Sequence, residues 1–195
     1  MVTNYRAISE PALIELLASP VRQELADTLA AMGGEATAAA LAEQLGRHAD
    51  GLYYHLKKLC AAGLLQVIGK EGEEQRYRLA GKGAAPLRLA YQLGFGGNAP
   101  AVRKFVHGLL QVAEQDVDQA LELPSVTVSG PQRQLWAARN KSWLSSSDLV
   151  EVNILLERLC ALTSQPRAPG RDQLMSCAFV LAPVLPRPKR RSQDE

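Results

Sequence analysis

The chain has 195 residues, 47% of them hydrophobic and 22% charged, the proportions of a globular protein with a core and not of a disordered one. Its 22 Lys and Arg against 20 Asp and Glu leave a formal charge of +2, which excludes a polybasic protein that holds nucleic acid by bulk charge. Aromatic residues, at 5%, are too scarce for a platform that stacks single-stranded bases.

Residues 1–10 carry little pattern and read as a flexible arm. From Pro11 the period is helical, with Leu13, Ile14 and Leu17 on one stripe, and Ser19-Pro20 reads as a new helix start with Pro at the first position. Val21, Leu25, Leu29 and Met32 give an amphipathic helix that Gly33-Gly34 stops. Thr37 opens an alanine-rich helix through Ala40, Leu41 and Leu45, which Gly46 ends. Arg47-His48-Ala49 is a tight connection, and Asp50 is the expected N-cap of a helix over about 50–62 carrying Leu52, Leu56 and Leu59. Two short helices on so short a turn form a helix-turn-helix. After Gly63 the period falls to two. Leu65 to Lys70 and Gln75 to Leu79 alternate around a turn at Glu71-Gly72-Glu73-Glu74, with Arg76 and Arg78 on one face and Tyr77 and Leu79 on the other. A hairpin in that place makes residues 11–80 a winged helix.

Residues 81–98 are a Gly- and Ala-rich connection with a short helix expected around Leu87 to Leu93. Asn98 is the expected cap of a longer helix whose stripe runs Val102, Phe105, Val106, Leu109, Ala113, Val117, Leu121. Pro124 to Gly130 and Gln134 to Trp143 are candidate strands, and Met175 to Leu181 reads as a buried one. Ser145-Ser146-Ser147-Asp148 is a capping box before the stripe Leu149, Val152, Leu155, Leu156, Leu159. Residues 183–195 form a polar tail expected to be disordered. The expected fold is α+β and mainly helical: a winged helix-turn-helix, then a long helix and a small α/β accessory region over 99–182.

The chemistry concentrates on the second helix of the turn unit. A helix that reads DNA needs one apolar face to anchor it and one polar face to present. Leu52, Leu56 and Leu59 are the anchor; Gly51, Tyr53, Tyr54, Lys57 and Lys58 are presented. Gly51 permits close approach, the tyrosine hydroxyls suit bases or phosphates, and the lysines, further along, suit phosphates. Arg47 and His48 in the turn and Lys70, Arg76 and Arg78 on the wing complete the candidate DNA contacts. The plainer reading, tyrosines that pack and lysines that are merely solvated, fits two adjacent tyrosines beside two lysines less well. Glu71, Glu73 and Glu74 at the wing tip oppose its deep insertion between phosphates.

The register Gly51-Leu52-Tyr53-Tyr54-His55-Leu56-Lys57-Lys58-Leu59, then Ala62-Gly63-Leu64 and Tyr77-Arg78-Leu79, resembles the winged-helix repressors of the ArsR type. Those carry S-x-S-x-H-L-x-x-L-x-x-A-G-L and a wing ending near Y-R-L. The resemblance spans about residues 11–80 and implies a homodimer with one recognition helix per half-site in the major groove of double-stranded DNA. Gly51 and Tyr53 replace the usual hydroxyl residues, so the bases read do not carry over. Leu144-Ser145-Ser146-Ser147-Asp148-Leu149 is similar to a helix start in the C-terminal extension of larger relatives, which implies an accessory dimerisation or sensing region and leaves room for a small-molecule effector.

No metal site and no cofactor are expected, since the family's metal sensors need clustered thiolates or imidazoles that the sequence lacks. Cys60, Cys160 and Cys177 are widely spaced and odd in number, which fits a reducing cytoplasm better than a disulfide framework, with a Cys160–Cys177 thiol switch as a lesser alternative. The chain shows no export signal and no apolar run of membrane-spanning length. It lacks the nucleotide-binding loops, nucleophile elbow and zinc motif of common enzymes, so it is not expected to be one. The expected function is a cytoplasmic, sequence-specific DNA-binding transcriptional regulator. The alternatives are a winged-helix module that binds protein and a small-molecule-binding protein with secondary DNA binding.

Overall fold

The computed structural model describes residues 5–72, 74–81 and 87–185. In chain order they form β1 (Arg6–Ile8), α1 (Pro11–Leu17), α2 (Pro20–Ala31), β2 (Glu35–Thr37), α3 (Ala38–Leu45), α4 (Ala49–Ala61), β3 (Leu65–Glu71), β4 (Glu74–Leu79), β5 (Leu87–Leu89), α5 (Ala99–Leu121) and α6 (Ser146–Thr163). The fold is α+β, with an N-terminal helix-turn-helix and a long helix.

Local chemistry sets the boundaries of the turn unit. The Thr37 hydroxyl accepts from the Ala40 amide at 3.2 Å and starts α3, while Gly46 ends it at φ 61, a left-handed conformation that glycine adopts without steric cost. The N-cap of α4 is His48 and not Asp50. Asp50 instead lies in the first turn, where its carboxylate still complements the exposed amides of the helix start. Ile14, Leu25, Leu29, Leu41, Leu52, Leu56 and Leu59 are fully buried, so α1 to α4 share one core. Each such side chain contributes about 1.5–3 kcal/mol. The wing follows its alternation: in the antiparallel order β2-β4-β3, Tyr77 and Leu79 of β4 face the core and Arg78 faces out.

Three expectations around this core are corrected. Residues 6–8 do not belong to a loose arm but form β1, parallel to β5 in the register Arg6↔Leu87 to Ile8↔Leu89. Residues 87–89 are accordingly a strand and not the start of a helix. Asn98 does stand at the N-cap of α5, yet its side chain makes no capping bond. It is fully buried and clamps the strand pair: Nδ2 donates to the carbonyls of Ser9 and Ala90, each at 2.8 Å, and Oδ1 accepts from the Gln92 amide at 2.9 Å. Arg6 adds a second tie, donating to the Gly63 and Ala80 carbonyls at 3.1 Å.

The 23 residues of α5, about 34 Å long, pack back across α1 and α2. Gly108 marks the closest approach, because a Cβ there would stand 2.3 Å from the Ala18 carbonyl oxygen. Beside it Gln23 donates to the Phe105 carbonyl at 3.1 Å, and Lys104 pairs with Glu15 at 2.6 Å.

Beyond α5 the candidate strands at 124–130, 134–143 and 175–181 do not form; the described residues there hold one isolated bridge, Ala168↔Arg171. A strand is completed by an edge that accepts its hydrogen bonds, and no partner edge lies alongside. Phe179, Val180 and Leu181 are exposed and not buried. The capping box of α6 does form, with the Ser145 hydroxyl and the Asp148 carboxylate each serving the other's backbone amide, but α6 buries none of its residues. The expected disorder of the tail falls mostly on residues 186–195, outside the described residues.

Candidate nucleic-acid interface

α4 has the two faces the turn unit requires. Leu52, Leu56 and Leu59 fix its inner face in the core, and Gly51, Tyr53, Tyr54, Lys57 and Lys58 are exposed. Gly51 is not needed for packing, since a Cβ there would meet open space. Tyr54 holds the outer face in order: its ring lies edge-on to His55 at 5.4 Å between centroids, and the Lys58 ammonium stands 5.6 Å from its centre, within cation–π range. Lys57 and Lys58 make no ion pair among the described residues, so both charges are available to an anion.

His55 is half-buried beneath that face. Burial, and then the positive charges of Arg22 and Arg47, hold its pKa below the usual histidine value, and its buried Nδ1 has no hydrogen-bond partner. A neutral imidazole there supports the helix without adding to the basic face.

The remaining candidates divide. His48 is exposed at the start of α4, with a side chain free of any cap bond. Arg47 is tied to Glu24 of α2 at 2.7 Å. On the wing, Arg76 and Arg78 both lean on one carboxylate, Glu35 of β2, at 3.2 Å and 2.6 Å, and Arg76 also pairs with Glu71 at 3.6 Å. Two guanidinium groups against two carboxylates leave the wing cluster close to neutral. Lys70, past the β-bulge that breaks the β3–β4 register between Val67 and Gly69, is exposed and outside those pairs. Glu74 lies near the start of α3, where its carboxylate accepts from the Ala39 amide at 3.4 Å. Glu73 lies outside the described residues.

Among the described residues, the free cations of the face are therefore Lys57, Lys58 and Lys70, carried on α4 and β3. Glu35 and Glu24 escaped the sequence reading because each sits more than twenty residues from its arginine, on an element whose pairing no local pattern announces. The acidic residue after Gly33-Gly34 carries no signal of its own until β2 is seen to lie beside β4.

Away from this face, burial and the nearby Cys160 both push the Cys177 thiol above its ordinary pKa, and burial raises Cys60. No group of three His, Cys, Asp or Glu among the described residues is arranged to hold a metal ion, and no described helix is long and apolar enough to cross a membrane.

A family model described as a helix-turn-helix domain matches residues 17–68, from the end of α1 through the turn unit into β3. The chain thus carries a helix-turn-helix domain, the architecture of DNA-binding regulators. Among curated proteins none matches the chain.

Proposed function

We propose that this helix-turn-helix protein is a sequence-specific transcriptional regulator of the ArsR type, working in the cytoplasm as a homodimer that lays α4 in the major groove of double-stranded DNA. It acts by binding, without catalysis. The observation that carries the reading is the exposed face of α4, where Gly51, Tyr53, Tyr54, Lys57 and Lys58 face outward on a helix whose opposite side is locked into the core. Lys70 would reach the backbone beside the groove, and His48 the phosphate at the helix start. The resemblance of residues 11–80 to the ArsR pattern supports the dimer, with residues 99–182 as the accessory dimerisation or sensing region. An effector would find a groove of about 360 Å³ lined by Thr28, Met32, Gln44, Arg167 and Arg171, where the C-terminal segment returns to α2 and α3.

Selection of bound fragments from a random duplex library tests the function class: a two-fold symmetric consensus is expected. On that consensus, Lys57→Ala with Lys58→Ala should weaken binding and reduce the slope of log affinity against log salt by about 2 per bound subunit. An unchanged slope would remove α4 from the interface. The near-neutral wing favours a second reading, a winged helix that binds protein. Failure to select any duplex, together with co-purification of one defined partner, would support it.

A further inference from the structure

With 18 residues α6 is long enough to hold as a helix, and its apolar side can pack against a partner. No residue of α6 is buried: Leu155 and Leu162 are 56% and 67% exposed, and Val152, Leu156 and Leu159 are half-buried. Its sequence is a heptad pattern, with Val152 and Leu159 at position a, Leu155 and Leu162 at d, Leu149 and Leu156 at e, and Glu151 and Arg158 at g.

We propose that α6 pairs antiparallel with α6 of a second copy of this chain. This rests on the homodimer proposed above and supplies its seam. The charges choose the partner and the direction. In an antiparallel pair the g positions face each other, so Glu151 meets the partner's Arg158 and, by the two-fold axis, Arg158 meets the partner's Glu151. A parallel pair would set g against e, where Leu149, Leu156 and Thr163 offer no opposite charge. The antiparallel register also sets Val152 against the partner's Leu155 and Leu149 against the partner's Leu156. Asp148, the d position before Leu155, faces the partner's Leu159 at the end of the seam, and Ser145 takes up its carboxylate.

Sedimentation equilibrium of the full chain tests the seam. The wild type is expected to be a dimer. Glu151→Arg alone, or Arg158→Glu alone, turns two attractions into two repulsions and should weaken the dimer about tenfold. Both substitutions in one chain should restore it. An equimolar mixture of the two single variants should also dimerise, since each then meets its opposite charge. Circular dichroism should show the same helix content in every variant, both positions being exposed. A monomeric wild type, single variants as tight as wild type, or a mixture that stays apart would each overturn the proposal. A monomer that still binds the selected DNA overturns the seam and leaves the DNA reading standing. A dimer that obeys the charge swaps and selects no DNA does the reverse.

Discussion

Gly108→Ala and Gly51→Ala are the same chemical change in two helices, and the structure assigns them opposite signs. Helix propensity alone favours alanine over an interior glycine by about 1 kcal/mol. At Gly108 the new methyl would stand 2.3 Å from the Ala18 carbonyl oxygen, 3.1 Å from its carbon and 2.8 Å from Gln23 Nε2. A carbon–oxygen contact relaxes only beyond about 3.2 Å, and the obstacle is backbone at the end of α1, so α5 itself has to move by about 1 Å. Overpacking of this kind costs about 1–3 kcal/mol, and moving α5 also strains the Gln23–Phe105 hydrogen bond, worth about 1 kcal/mol. After the propensity gain, Gly108→Ala should destabilise by about 1–3 kcal/mol. At Gly51, in the first turn of α4, the methyl meets open space, and stability should hold or rise by up to about 1 kcal/mol. Urea unfolding of both variants reads the difference as a lower midpoint for Gly108→Ala and an unchanged or higher one for Gly51→Ala. A Gly108→Ala protein as stable as wild type would mean that α5 does not lie where its contacts with α1 and α2 put it.

Asn98→Ala removes a buried clamp and leaves the Gln92 amide and the Ser9 and Ala90 carbonyls unpaired; a loss of about 2–4 kcal/mol is expected in urea, with faster hydrogen exchange at the Ala90 amide, which bonds to Ile8. His55, held neutral in the fold, makes acid unfavourable: the unfolded chain takes up its proton near the usual value of 6.5 while the folded chain does not, so stability should fall as pH drops through 6.5 toward the lower folded pKa. His55→Gln should flatten that fall between pH 7 and pH 5 in thermal melts; an equal fall in the variant would refute the assignment. Glu35→Gln frees Arg78 and leaves Arg76 only its longer pair with Glu71, at a cost below about 1 kcal/mol, because the pairs are substantially exposed. Fluorescence anisotropy on duplex DNA should then show tighter binding with a steeper salt dependence, and unchanged binding would place the wing away from the phosphates.

What the sequence made legible follows the reach of each pattern. The stripe Val21, Leu25, Leu29 repeats often enough to define α2, and the capping box at Ser145 defines the start of α6 to the residue. The wing was readable because Tyr77 and Leu79 alternate with Arg76 and Arg78 beside a turn. β1 and β5 were not, since three residues contain no period and their partners lie some eighty residues apart. The error at residues 175–181 has a different origin. A largely apolar run suits a strand, but a strand needs a second edge, and that is a property of the assembled molecule. At the candidate interface the same division holds: sequence placed the cations, while the carboxylates that occupy Arg47, Arg76 and Arg78 came from elements whose neighbours only the fold reveals.

That occupation changes what binding has to rely on. Residues 1–80 hold 8 basic and 10 acidic side chains, a net charge of −2. With the arginines paired, the proposed interface would bring Lys57, Lys58 and Lys70 of each subunit to the phosphates, and three contacts would give a salt slope of only about −2.7. A single subunit with so shallow a slope would be held weakly at any site. Two subunits joined through α6 double the slope to about −5.4, and the second α4 engages at an effective concentration set by the tether rather than by solution. The α6 charge swaps and the lysine substitutions should consequently meet in one measurement: a chain that cannot pair through α6 should show about half the wild-type salt slope on a two-half-site duplex, with Lys57 and Lys58 untouched. If the slope stays whole while the dimer is lost, the subunits are being brought together by the DNA, and α6 has no part in recognition.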